Sequence, residues 1–572
     1  MRSCIFFPEA DGAEHHGTAP ACGKEETLMM RTVMVQIKPN NPAVPYFRMN
    51  TAGSRAVRNT ANFLIRNTMT GLSKSPEERT HNETEALHIV FTGIQKANRR
   101  SDVKAEELMK LAVSMVHKYG LSGLHARACI YSCWKKIPRR FSYPDREHWF
   151  LGYEVLDAVL KETHNEAYYS CISQVNQQAL RKTVQAWVAW FRSLKDWKKH
   201  PDKYKARPRL PGYIRERETT ACFTRQVCKT KEVDGRLYLD FTRYGDLFRI
   251  GKPSLLPGKF VRAEVKPFHG RYQLLLTSDD GLEAPEVPEN PERILGLDPG
   301  VGNFLAGLSN TGALPFLIRG GWLKSLNQCF NKQRARLTSC LDESRQGSRN
   351  SRALDALSRD RENKLRDFFY KAAHWVMRWC VENRIQVVVI GHSQGQKQDA
   401  CMGDQNNQNF VSIPYSRFLF ILKVVGYKYR IPVTDREESY TSQASLLDMD
   451  KIPTYGQKGA DRVVFSGKRK ERGLYVSSEG HVVNADINGA GNILRKEYPH
   501  AFEGKDLSYI YGAVLSVTGE EILKINPKVL MPYHPVFRHR ESKDRHERRK
   551  ARRVGLMQFF GYSKKGKVKG KP

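Results

Sequence analysis

Between Arg31 and Lys38 apolar side chains fall on every second position (Val33, Val35, Ile37), which predicts a strand, and Pro39, Pro42 and Pro45 end it. From about Thr51 to Asp196 the period lengthens to that of helices. The clearest spans Val175–Trp197, with Leu180, Val184, Trp187, Phe191 and Leu194 on one stripe expected to be bundle core. Trp190 and Trp197 fall off that stripe and stand as candidates for stacking on bases. Alternation returns from about Ala221 to Thr277: Arg236–Phe241, Phe260–Lys266 and Tyr272–Thr277 are expected strands, with a hairpin turn at His269-Gly270. With the first strand they are predicted to close a small barrel that has the helical region inserted between its parts. After a Pro- and Glu-rich linker over 283–291, strands are expected at Arg293–Leu297, Phe304–Leu308 and Leu314–Arg319. Helices follow over about Lys324–Asp342 and Arg352–Asn383, then a fully apolar strand at Val387–Ile390. A Gln/Asn/Gly-rich loop leads to a helix at Ser416–Val425 and a strand at Tyr427–Val433.

The length, 572 residues, suits roughly three or four domains. With 40% hydrophobic residues the chain can bury large cores. Its net charge of +34 is spread along the sequence, which favours a nucleic acid or an anionic membrane surface as partner over a balanced, solvated exterior. No apolar run is long enough for a membrane span. Residues 1–29 are expected to be a disordered extension without a signal-peptide core, and the tail, with Arg548-Arg-Lys-Ala-Arg-Arg553, to order only on nucleic acid. Eleven irregularly spaced cysteines point to a reducing compartment, with Cys129, Cys133, Cys222 and Cys228 as core side chains and not zinc ligands.

Three acidic motifs bring in the chemistry. They are Ile294-Leu-Gly-Leu-Asp298-Pro-Gly300, Glu437-Glu438-Ser-Tyr-Thr-Ser442 and Asn484-Ala-Asp486-Ile-Asn-Gly-Ala490. Asp298 follows an apolar strand, Glu438 follows the strand expected at 427–433, and Asp486 opens a helix. Each acid alone also suits a cap, a turn or a surface position. Together, in this order, they suit a site for two Mg²⁺, with Mn²⁺ as a substitute, because Mg²⁺ takes hard oxygen donors and keeps several waters. Such a pair of ions can cut a phosphodiester, and the order of elements suits an RNase H-like sheet. Candidate nucleic-acid contacts are Lys205, Arg207, Arg209 and Tyr213, where basic and aromatic residues interleave along a Pro-stiffened path. Lys397, Lys468, Arg469 and Arg472 are further candidates.

These stretches, with Val387-Val-Val-Ile-Gly-His-Ser-Gln-Gly-Gln-Lys-Gln398, Phe410-Val-Ser-Ile-Pro414, Phe465-Ser-Gly-Lys-Arg469 and Arg472-Gly-Leu-Tyr475, resemble TnpB-type transposon-encoded nucleases, the relatives of type V CRISPR effectors and Fanzor proteins. The resemblance is dense over 290–500 and softer over 30–290. Two departures matter. Most of the family carries a Glu directly after the apolar strand, where this chain has Gly391-His392; it resembles the subset whose Glu is relocated to an E-S-Y-T-S motif, here Glu438. The family's Cys4 finger is missing, with no cysteine from 441 to 483, so no zinc is expected.

The resemblance implies an α+β, multidomain, bilobed protein. A wedge β-barrel (30–50 plus 205–285) would carry an inserted helical recognition domain (51–204). A RuvC nuclease domain (291–500) with a helical insertion at about 322–384 would follow, then a basic tail (501–572). It implies an RNA-guided DNA endonuclease whose partners are a guide RNA, from a transposon end or a CRISPR array, and double-stranded target DNA beside a short motif. A monomer in the cytoplasm near the nucleoid is expected, or in the nucleus for a eukaryotic relative, with no membrane partner. Three alternatives stay open: an inactive RNA-guided repressor, a DDE-type transposase, whose last acid is usually Glu, and a junction resolvase.

Overall fold

A computed structural model describes residues 28–204, 206–343, 350–392, 413–454, 462–471 and 473–526. Lys205, Lys397, Arg472, residues 1–27 and the Arg-rich tail lie outside the described residues, while residues 28 and 29, expected in the N-terminal extension, begin a strand. The chain divides into two compact units, residues 1–284 with 330–362 and residues 285–329 with 363–572. No helix among the described residues is long and apolar enough to cross a membrane.

In the first unit, β1 (Leu28–Ile37) stands where the alternation placed it and leads into α1 (Val44–Leu72), α2 (His81–Lys118), α3 (Gly123–Trp134), α4 (Tyr153–Glu162), α5 (Glu166–Tyr169) and α6 (Ser173–Lys199). The strands β2 (Ala221–Thr224), β3 (Cys228–Val233), β4 (Arg236–Phe241), β5 (Leu247–Gly251), β6 (Lys259–Phe268) and β7 (Arg271–Glu283) follow. The β6–β7 turn is tight because both its residues, His269 (φ 44°) and Gly270 (φ 71°), take the left-handed conformation that matches the twist of a hairpin.

These strands do not close the expected barrel. Among the described residues they form two open antiparallel sheets, β1-β7-β6-β2 and β3-β4-β5. A helix does the work that closure would have done: Phe47 of α1 packs edge-on against Phe241 and Phe248, each at 5.6 Å, and covers the inner faces. In the helical part, Leu180 and Trp187 of α6 are fully buried as the stripe predicts. Trp190 is buried as well, and its indole N–H donates to the Pro208 carbonyl at 3.2 Å, so it belongs to the core and not to a base-stacking surface. The segment after Lys205 covers α6 from a second side, and the single-stripe pattern could not show that.

The second unit opens with β8 (Ile294–Pro299), β9 (Asn303–Ser309) and β10 (Phe316–Arg319). The helices α7 (Gly321–Glu343) and α8 (Arg352–Glu382) follow, with their residues between 330 and 362 belonging to the first unit, then β11 (Val387–Gly391), α9 (Tyr415–Tyr429) and β12 (Val433–Arg436). A small sheet of β13 (Lys468–Glu471), β14 (Leu474–Val476) and β15 (Val482–Asn484) precedes α10 (Ala485–Glu497), β16 (Leu515–Val517) and α11 (Gly519–Lys524). The main sheet runs β12-β11-β8-β9-β10-β16; β8, β9 and β10 are antiparallel, and β11 and β12 add parallel beyond β8. Apolar side chains of α8 and α9, including Phe368, Phe369, Val376 and Phe418, cover one face, and Ile487, Ala490, Ile493 and Leu494 of α10 cover the other. Covered on both faces, β11 reads as an unbroken apolar run.

The strand expected over Tyr427–Val433 is a correction. Tyr427 and Tyr429 complete α9, Arg430 caps it in the left-handed conformation (φ 60°), and the strand begins only at Val433. Both tyrosines are buried, and the Tyr429 hydroxyl meets His374 Nδ1 at 3.0 Å. A short apolar run does not reveal its period, so packing decided between helix and strand.

Candidate active site

The site grows from the close approach of α10 to β8. A Cβ at Gly296 would lie 2.2 Å from the Ala490 carbonyl oxygen, and one at Gly489 would lie 2.4 Å from Asp298 Oδ2. Glycine at both positions lets the helix settle onto the end of the strand. Asp486 stands three residues before Gly489, on the same helix face, and is therefore carried to Asp298. The helix start is fixed by Asn484, whose side-chain oxygen accepts from the Asp486 and Ile487 N–H groups at 3.0 and 3.3 Å.

Glu438 arrives from the opposite edge. In the parallel pairing of β11 with β12, Gly391 stands beside Arg436, and the chain then turns back over the strand end. A Cβ at Gly391 would fall 2.6 Å from Glu438 Oε2. The carboxylate of Glu438 thus fills the space that a side chain at 391 would enter.

The motif around Glu438 is a set of fasteners. Thr441 donates through its N–H and hydroxyl to the Glu438 carbonyl, at 3.3 and 2.8 Å. Glu437 turns away: it pairs with Lys496, whose side chain is 3% exposed, and accepts from the Ser439 N–H at 2.7 Å. Lys496 also donates to the Ser439 carbonyl at 2.9 Å. Asn492 donates to the Thr441 and Ala444 carbonyls at 3.0 and 2.7 Å, while Asn488 donates to Ala444 at 2.8 Å and accepts from the Leu446 N–H at 2.9 Å. These two fully buried asparagines, four apart on α10, tie the segment after Glu438 to the helix that carries Asp486. Neither was singled out from sequence; two amides one turn apart on an otherwise apolar helix face were the available signal. Asn492→Ala would take the donor from the Thr441 carbonyl and leave Ala444 with Asn488 alone. We expect a loss of about 1–3 kcal/mol in thermal or denaturant unfolding; unchanged stability would contradict the fastening role.

Asp298, Glu438 and Asp486 are each partly buried. Burial raises the Asp298 pKa well above its usual value, the nearby Glu438 and Asp486 charges raise it further, and Arg469 opposes them. The Tyr415 hydroxyl donates to the Gly300 carbonyl at 2.6 Å, and its pKa is raised by burial and then by Asp298 and Glu438, which places it at the rim of the acids. Asn303 donates to Asp486 Oδ2 at 2.7 Å and accepts from Arg319 at 3.0 Å, a relay that holds that carboxylate. Arg469 Nη2 stands 3.9 Å from Asp486 Oδ1. Asn303, Arg319 and Tyr415 were also missed from sequence, because they join the acids only through the sheet. Three mutually repelling hard-oxygen donors fit a divalent cation in chemical type. They are gathered but not closed into a cage: among the described residues no three His, Cys, Asp or Glu side chains are arranged to hold a metal ion.

A carboxyl with a raised folded-state pKa is harder to ionise folded than unfolded. Its stability penalty is present above the unfolded pKa and is relieved as pH falls through the folded value. Asp298→Asn removes that penalty. In chelator at neutral pH the variant should unfold later than wild type; an earlier transition would contradict the crowding.

The expected nucleic-acid residues divide in two. Arg207, Arg209 and Tyr213 are exposed on an extended strap along α1. The strap is held by its backbone: Asn62 and Arg66 donate to the Pro211 carbonyl at 3.2 and 3.3 Å, and Asn59 exchanges two hydrogen bonds with Ile214. The side chains are thereby left available, with Arg66 over the Tyr213 ring at 5.4 Å. Lys468 and Arg469 are exposed on β13, and only Arg469 is seen to reach the acids.

Residues 276–396 match the OrfB_IS605 family, described as a probable transposase. No curated protein matches the chain. Among solved structures, a Cas12f1–sgRNA–target DNA complex is 15% identical, with 69% of this chain and 93% of that chain covered at a TM-score of 0.26. An AacC2c1–sgRNA binary complex is 9% identical, with 81% and 89% covered at 0.33. C2c1 of Alicyclobacillus acidoterrestris with single-guide RNA is 10% identical, with 74% and 70% covered at 0.23. At these TM-scores the likeness fixes no residue of the site. The resemblance to TnpB-type proteins stands, on the matched segment that carries Asp298 and β11.

Proposed function

We propose that this TnpB-like chain is an RNA-guided DNA endonuclease with a single RuvC-type site formed by Asp298, Glu438 and Asp486. One observation carries the reading: acids from three distant segments gather at one end of the sheet, with Glu438 occupying the space beside Gly391. Those three carboxylates would hold two Mg²⁺, which supply water activation and leaving-group stabilisation when bound. Burial and the neighbouring acids disfavour an ionised Asp298, and a bound cation would offset that. Asn303 and Arg319 keep one Asp486 oxygen directed, and the Asn488–Asn492 pair keeps the Glu438 turn in place. Arg469, beside Asp486, is positioned to take a non-bridging oxygen of the scissile phosphate.

The exposed cations of the strap would follow a phosphate backbone, with the two sheets of the first unit in the wedge role and the helices in the recognition role. Sequence choice would then rest on RNA–DNA pairing, next to a short motif in the duplex. A monomer is the working form. The test is to sequence RNA that co-purifies with the full chain, then incubate the complex with Mg²⁺ and plasmids bearing the matching target beside randomised flanks. Cleavage of matched plasmids alone is expected; cutting without RNA would favour a junction resolvase. A second reading, an inactive RNA-guided DNA binder, draws on the absence of a closed ligand cage among the described residues. Target binding without nicks in Mg²⁺ or Mn²⁺ would establish it. The family description also keeps a transposase in view, and strand-transfer products would favour that.

A further inference from the structure

Beyond Ser101 the α2–α3 hairpin is short of a core. Its buried cluster consists of Leu108, Ala112 and Cys133. Around it Leu111, Val113, Tyr119, Leu124, Tyr131 and Trp134 are each at least half exposed. Large apolar side chains left this exposed along one hairpin point to an interaction site. Its charge is one-sided: from Lys118 to Arg140 there are six Lys or Arg and no Asp or Glu. The Tyr131 and Trp134 rings lie nearly parallel, with centroids 5.9 Å apart and planes at 21°. Lys135 Nζ lies 4.6 Å from the Tyr131 centroid, and Lys118 Nζ 5.6 Å from that of Tyr119. Arg139 and Arg140 continue the line, in exposed pairs with Glu154 and Asp102 at 2.9 and 2.7 Å. Exposed pairs contribute little, so a phosphate can replace them.

We propose that the end of α3 is a stacking platform for unpaired nucleotides of the bound RNA, with Tyr131 and Trp134 under the bases and Lys135 and Lys136 on the phosphates. Exposed rings with cations over their faces, in a segment from 118 to 140 that itself carries no acid, suit a polyanion that also carries π-faces and can exchange with those cations. RNA is the occupant because the surface needs a lasting cover. On the function proposed above, on which this inference rests, the guide is resident and DNA visits.

The test titrates a fluorescein-labelled oligo(A) RNA 12-mer, and a DNA 12-mer of the same sequence, against the full-length protein freed of nucleic acid. The chains compared are wild type, Tyr131→Ala/Trp134→Ala and Tyr131→Phe/Trp134→Phe. The alanine pair should bind RNA about tenfold or more weakly, the scale of one or two lost base stacks. Its log K against log salt slope should be unchanged, because the phosphate contacts remain, and the phenylalanine pair should restore binding. Equal RNA affinity of the alanine pair and wild type overturns the platform while the nuclease reading stands. Loss confined to DNA overturns the RNA assignment. A fall from dimer to monomer with RNA affinity untouched makes the surface a contact between copies and overturns the platform. If the wild type binds no RNA, the function proposed above falls with it.

Discussion

Asp298→Ala protein should retain its RNA at wild-type affinity and leave matched target DNA uncut in Mg²⁺, and Asp486→Ala should do the same. The drop in single-turnover cleavage should be roughly a thousandfold or more, on the scale of removing a main electrostatic element from a preorganised site. RNA affinity should hold because the exposed cations of the strap lie in the other compact unit from the acids. Folding is not the cause of the loss: burial and the Glu438 and Asp486 charges already disfavour an ionised Asp298, so truncation relieves repulsion. Cleavage at near wild-type rate in either variant would remove the acids from the chemistry. A parallel loss of RNA would mean that the substitutions disturb more than the site.

The second large effect is a rescue. Glu438→Ala should abolish cleavage, and Gly391→Glu alone should also be inactive, because its Cβ would meet Glu438 Oε2 and Ile493 Cδ1, each at 2.6 Å. Combined, the two changes return a carboxylate to the same space from β11, and measurable Mg²⁺-dependent cleavage should come back. Ile493 Cδ1 is the end of a flexible side chain and can yield. Glu437→Gln is the contrast: it should keep the chemistry while costing roughly 1–3 kcal/mol of stability, since it strips the charge partner from buried Lys496. Cleavage rates and unfolding curves of these four proteins form one experiment. A dead double variant together with an inactive Glu437→Gln protein would move the ligand to Glu437.

The buried Lys496 is what separates the two neighbouring glutamates, and no reading of Glu437-Glu438 as sequence could have done so. The same holds for Asn303 and Arg319, which act on Asp486 only because β9 runs beside β8 and β10 beside β9. Tyr427–Tyr429 failed for the related reason that a few apolar residues carry no measurable period. Trp190 failed because a helix covered on two sides has a wider apolar face than one stripe suggests. The barrel failed because alternation tells which face of a strand is apolar and not what covers it; here Phe47 of α1 does.

By itself the sequence determined the elements with long or strict periods: β1, α6, α8 and the β6–β7 hairpin. It also offered the three acids as candidates, because a carboxylate after an apolar strand, in an E-S-Y-T-S stretch or at a helix start is a local pattern written in neighbouring residues. Tertiary structure alone decided that Glu438 stands in the space beside Gly391, that Glu437 is taken by Lys496, and that α10 approaches β8 closely enough to crowd Asp298. Each of these depends on the register between segments far apart in the chain. Register is set by how whole faces pack, and no local pattern of residues encodes it.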